Sequence, residues 1–151
     1  MSLEPDAQTT AQLSAKALHA GDRSREALGI TIDGIAPGRA MARVRVTDTM
    51  VNGHGIGHGG YLFLLADTAF AYACNTYGTA TVAQGAQITF LRPAAVGDEL
   101  VAEAVERSRY GRNGIYDVTV SNADGEAFAE FRGHSHQLPG LPDPQSSPDH
   151  D

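Results

Sequence analysis

The sequence predicts an α+β fold, a strongly curved antiparallel sheet wrapped around one long central helix. Three observations carry this. Residues 59–77 form an almost wholly apolar run that opens on Gly59-Gly60 and stops at Gly78, the punctuation of a buried helix. Two strand-like stretches precede this run and four follow it, each set off by a turn signal. The chain has 151 residues and is 42% hydrophobic, enough for one domain with a packed core. A helix that is apolar on most sides has to be covered on most sides, and a curved sheet is the economical cover.

In chain order, Leu13, Ala17 and Leu18 give a weak amphipathic helix after Asp6, within an N-terminal helical segment over residues 1–27. Residues 28–36 alternate like a strand, with Leu28, Ile30 and Ile32 on one face. Pro37-Gly38-Arg39 turns the chain into residues 40–47, where Ala42, Val44 and Val46 share a face, so the two runs predict a hairpin. After the glycine-rich loop 48–58 and the helix come strands over 81–91, 99–107, 115–121 and 126–136. Their boundaries are Pro93, Gly97-Asp98, the turn 111–114 and Ala123-Asp124-Gly125. Residues 28–136 thus make the main domain. Residues 137–151, with Pro139, Pro142, Pro144 and Pro148, read as a disordered tail.

The formal net charge is −7 and Lys16 is the only lysine. No basic patch for nucleic acid and no basic amphipathic helix for a membrane surface is present. Cys74 is the only cysteine, which excludes a disulfide framework within one chain and fits a reducing cytosol. Glu4 and Asp6 stand where a signal peptide would be basic, and no apolar stretch follows them; a cytoplasmic protein is expected. The run 61–77 contains Asp67, Thr68, Asn75 and Thr76, so it reads as a core helix and not a membrane span.

Asp67 is the anomaly of this chain. Between Arg45 and Arg92 there is no Lys or Arg, and between Asp48 and Asp98 it is the only carboxylate. A lone charge in apolar surroundings is costly unless something uses it.

The run Val51-Asn52-Gly53-His54-Gly55, then His58-Gly59-Gly60, then Leu65-Ala66-Asp67-Thr68-Ala69-Phe70-Ala71-Tyr72-Ala73 closely resembles the hotdog-fold acyl-CoA thioesterases. Within them it looks most like the PaaI type associated with phenylacetate degradation. Phe90, Arg92-Pro93-Ala94, Gly97-Asp98 and Leu100 match the same family. The resemblance implies a hotdog fold, CoA thioesters such as (hydroxy)phenylacetyl-CoA as substrates, and pairing into dimers and often homotetramers. It also implies a functional role for Asn52, the counterpart of the family's loop asparagine. Arg107, Arg109 and Arg112 stand where the family often sets basic residues against CoA phosphates; a solvated turn is the other reading of that cluster.

The residues themselves support a hydrolase. Gly59 and Gly60 open a helix whose first N–H groups have no partner inside it, and the macrodipole adds partial positive charge. A thioester carbonyl aimed there is polarised, and its oxyanion is stabilised; the same glycines also suit tight packing of loop on helix. Asp67 either attacks the thioester or activates a water, and the sequence leaves both open. Gly59 and Asp67 are eight residues apart, roughly 12 Å along one helix at about 1.5 Å per residue. Both must act within about 3 Å of one reacting group. Two antiparallel helices across a two-fold axis satisfy this, each lending its N-terminus to the other's Asp67, so an obligate dimer is expected.

Around them, Asn52 either holds the attacking water, helps place the acyl group, or merely stabilises a turn. Thr68 either bonds the nucleophile or its own helix backbone. His58 helps shape the donor loop, while Phe63 and Gly60 line the acyl side. His54 and His58 lack a third metal ligand at suitable spacing unless Asp67 serves, so no metal is expected. Hydrolysis needs only water and a polarised carbonyl, so no cofactor is expected. Cys74 reads as an inert core thiol. Two other functions remain open: a hotdog hydratase or dehydratase using a loop histidine, and a non-catalytic acyl-CoA-binding module.

Overall fold

A computed structural model describes residues 4–139 of the chain. Asp6 starts the first helix: its carboxylate accepts Thr9 N–H at 2.7 Å, and α1 follows over Ala7–Gly21. Asp22 caps a second short helix, α2 (Arg23–Leu28), which stops at Gly29 in the left-handed conformation, φ 71°. The strand expected from residue 28 therefore begins later, as β1 (Thr31–Ala36). Leu28 and Ile30 mimic strand alternation, but Leu28 belongs to a helix end.

The hairpin turns at Gly38, φ 70°, where an added Cβ would meet the Tyr77 hydroxyl at 2.9 Å, and returns as β2 (Arg39–Arg45). A single 3₁₀ turn (Asp48–Met50) and the glycine loop lead into α3 (Gly59–Cys74). Four strands follow: β3 (Thr81–Phe90), β4 (Glu99–Tyr110), β5 (Asn113–Ser121) and β6 (Ala127–Gln137). β4 outruns its expected end at residue 107 because a bulge between Glu106 and Ser108 lets its ladder with β5 continue. The tail expected over 137–151 lies, past Pro139, outside the described residues, and Gln137 itself ends β6.

The strands form one antiparallel sheet in the order β1-β2-β4-β5-β6-β3. α3 packs against all six strands, the arrangement its apolar circumference demands. Leu65, Ala66, Ala69, Phe70 and Ala73 are completely buried. Phe70 meets Tyr116 and Phe131 edge-on or tilted, at 5.5 and 5.8 Å between ring centres. Gly133 leaves room for that ring, since a Cβ there would lie 2.8 Å from it.

The cover is incomplete in two places. Gly60, Leu64, Asp67, Ala71 and Asn75 form a stripe of α3 at helical spacing that is open or only half-buried. β3 is a ten-residue edge strand, exposed along most of its length, with Val82 40% and Phe90 52% exposed. No described helix is long and apolar enough to cross a membrane.

Candidate active site

The loop before α3 braces itself and then stops short of satisfying the helix. Asn52 Oδ1 accepts His54 N–H at 2.9 Å, and Asn52 N–H donates to Ile56 O at 2.8 Å. Gly55 supplies the positive φ, 77°, that this tight turn needs. Gly57 N–H donates to Ala94 O and His58 N–H to Met50 O, both at 2.7 Å. His58 is the helix N-cap, and its Nδ1 accepts Gly60 N–H at 2.8 Å. That bond assigns a neutral imidazole with its proton on Nε2.

One donor is left over. Gly59 N–H makes no hydrogen bond to any described residue, and it points out of the positive end of a 16-residue helix. In the sequence Gly59 and Gly60 are equivalent donors. The structure separates them, because the histidine between loop and helix has taken the second. The amide NH₂ of Asn52 likewise has no partner among the described residues, while its oxygen performs the turn-bracing role.

Gly59 lies in the wall of a cavity of about 500 Å³, together with Asn52, Leu62, Phe90, Leu91 and Ala94. The Phe90 ring stands with its tip on Gly59, and an added Cβ would meet Cζ at 2.7 Å. A side chain at position 59 would therefore have to push the ring aside. Phe90 is legible in the family pattern but carries no signal there of this contact, which spans β3 and α3.

Asp67 is half-buried on the open stripe of α3 and makes no hydrogen bond or ion pair with any described residue. Burial raises its pKa above the ordinary carboxylate value. Its neighbour Thr68 donates its hydroxyl to Leu64 O at 2.7 Å, bonding its own helix backbone. Asp67 sits two turns beyond Gly59 on the same helix, so a single chain does not bring the carboxylate to the free N–H.

Phe63 packs edge-on against Phe131, with 5.3 Å between ring centres. The three arginines do not form one cluster. Arg107 pairs with Asp117 at 2.9 Å on the outer sheet face. Arg109 pairs with Glu106 at 3.1 Å and lies over the Tyr77 ring at 3.7 Å, near the C-terminal end of α3. Arg112 has no ion pair among the described residues and lines a small cavity there beside Cys74 and Ser135. The Cys74 thiol is buried, donates to Ala71 O, and is pushed up to about 12 chiefly by desolvation, the setting of an unreactive thiol. Among the described residues no three His, Cys, Asp or Glu side chains are grouped to hold a metal.

Comparison with known proteins gives this geometry a context. A family model described as the thioesterase superfamily matches residues 54–129. The acyl-coenzyme A thioesterase PaaI of Escherichia coli K12 is 46% identical over 127 residues, covering 84% of this chain and 91% of that protein. The structure of the E. coli PaaI protein from the phenylacetic acid degradation operon superposes with a TM-score of 0.87 at 43% identity, covering 90% of this chain and 99% of that one. The phenylacetic acid degradation protein PaaI of Thermus thermophilus, solved as a point mutant, gives a TM-score of 0.74 at 38% identity over 78% of this chain and all of that one.

Proposed function

The chain belongs to the thioesterase superfamily and is a thioester hydrolase; on that premise we propose that it cleaves acyl-CoA thioesters of aromatic acids, phenylacetyl-CoA or a hydroxylated relative, to the free acid and CoA. The observation that carries the mechanism is the pair of unused groups on α3: a helix-tip N–H on Gly59 and an unpartnered, half-buried carboxylate on Asp67. They are complementary in chemistry and too far apart to serve one carbonyl within one chain.

A second copy resolves this. When two α3 helices run antiparallel across a two-fold axis, the N-terminus of each comes to the Asp67 of the other. The half-open stripe through Leu64, Asp67 and Ala71 supports such a pairing, because apolar helix surface of this kind is normally covered. So does β3, a long and mostly exposed edge, with Val82 40% exposed, that an isolated subunit would leave open to association.

In this dimer the thioester oxygen accepts Gly59 N–H. The Asp67 carboxylate of the other chain attacks the carbonyl carbon, or takes a proton from the water that does. Negative charge develops on the oxygen, and the helix tip stabilises it. The carbon–sulfur bond then breaks, CoA leaves as the thiolate and takes up a proton, and water supplies the oxygen of the acid. The free amide of Asn52 supports a role in holding that water, with its oxygen already engaged in the turn.

The test is thiol release from a panel of CoA thioesters by the wild type and Asp67→Asn. The variant is expected to lose about a thousandfold in kcat, the scale of removing a nucleophile or base, and to keep the dimer mass in solution. Wild-type rates in Asp67→Asn would end this mechanism. Hydration of an enoyl-CoA without thiol release, or binding without turnover, would end the hydrolase assignment.

A further inference from the structure

Resting on that reading, we infer that Phe90 selects the acyl group: its ring is the wall along which the substituent of the Gly59-bound carbonyl lies, and it favours a flat aromatic group over a flexible chain. Phe90 ends β3, and its backbone is fixed there by the ladder to Ala129 and by Leu91 N–H donating to Phe128 O at 2.9 Å. The ring is 52% exposed and yet touches the helix tip, with Cζ, Cε1 and Cε2 all within 3.1 Å of a Cβ built on Gly59. The free N–H of that same residue is one bond from the contacted Cα. Gly59 and Phe90 line one cavity, so a carbonyl oxygen accepting from that N–H sets a substituent into space that the ring walls.

That substituent is the acyl group. The cavity here is walled by Leu62, Phe90, Leu91 and Ala94, and Arg92 is tied to Glu126 and stands over the Phe128 ring. Asn52 and Arg92 also line it, but Arg92 is engaged and the Asn52 amide is assigned to the water; the two amides of a pantetheine arm would need further partners, and an arene needs none. A phenyl group set against Phe90 gains ring–ring contact that an alkyl chain of similar size does not.

The experiment compares kcat/KM for phenylacetyl-CoA and hexanoyl-CoA in wild type, Phe90→Leu and Phe90→Ala. The aromatic-to-aliphatic ratio is expected to fall about tenfold in Phe90→Ala and about threefold in Phe90→Leu, which keeps an apolar filler. A ratio within about twofold of wild type in a folded Phe90→Leu overturns the inference, as does an equal loss on both substrates, which would place the ring on the CoA arm. Either result leaves the hydrolase reading standing. A wild type that splits no CoA thioester overturns both.

Discussion

The two ends of α3 are built on opposite rules. At the C-terminal end the polar groups close on one another. Asn75 donates to Ala71 O and Thr81 O and accepts Thr81 N–H, while Thr76 donates to Ala73 O and accepts Gly38 N–H. Tyr77 and Tyr116 both donate to Glu106, which also holds Arg109. At the N-terminal end the capping histidine satisfies Gly60 and leaves Gly59 N–H open, with Asp67 unpartnered two turns on. Polar groups at a structural helix end are paired because leaving them unpaired costs stability. An end left open in a fold that closes the other so fully is an end reserved for something else.

The largest expected effect that would sharpen this contrast, after loss of Asp67, comes from Gly59→Ala. The new methyl would sit 2.7 Å from the Phe90 ring, so either the ring or the first helical turn must move. A shift of the donor away from the oxyanion position is expected to lower kcat about a hundredfold, the scale of losing one such donor. Steady-state kinetics on phenylacetyl-CoA measures it. An unchanged kcat would mean that the open N–H at this end takes no part in turnover.

A smaller effect distinguishes the arginines. Arg107 is held by Asp117 on the outer sheet face, whereas Arg112 stands unpaired beside the cavity at the closed end of α3. In the proposed antiparallel pair that end lies seven residues past Asp67, about 10 Å from the other chain's open tip. Arg112→Ala is expected to raise KM for CoA thioesters about fivefold, and Arg107→Ala to leave it within about twofold, because only the unpaired guanidinium is available to phosphate. A larger KM effect from Arg107→Ala would return the phosphate site to the outer face.

These contrasts mark what is legible in the sequence. The wrapped helix is, because an apolar run between glycines leaves few alternatives. So is Asp67, because isolation of a charge is visible in one dimension. The end of α3 is not: Gly78 looks like its stop, but the helix ends at Cys74 because the Asn75 amide bonds Ala71 and Thr81, a contact that exists only once β3 is in place. The N-terminal end is half legible. Glycines advertise donors, but which one stays free depends on the His58 ring, and the ring over Gly59 comes from β3. The basic cluster dissolves for the same reason, since Asp117 and Glu106 reach those side chains only through the β4–β5 ladder and its bulge.

The smallest effect tests whether the open end is held at a cost to the fold. Burial raises the Asp67 pKa, so the folded chain binds that proton more tightly than the unfolded one. Stability from this group is present below the unfolded value and is lost as pH rises through the folded one. At neutral pH burial of the ionised carboxylate therefore works against the fold, and a partner helix tip acts in the opposite sense, by about 0.3–1 kcal/mol at the surface and up to about 2 kcal/mol where partly buried. Where burial outweighs the helix tip, Asp67→Asn should melt higher than wild type at pH 7, and the gap should shrink to nothing as pH falls toward the ordinary carboxylate range. Thermal melts from pH 7 down to about pH 4 read both. A variant that melts lower at neutral pH would mean that the ionised acid stabilises the assembly, and that the partner's helix tip outweighs the cost of burying it.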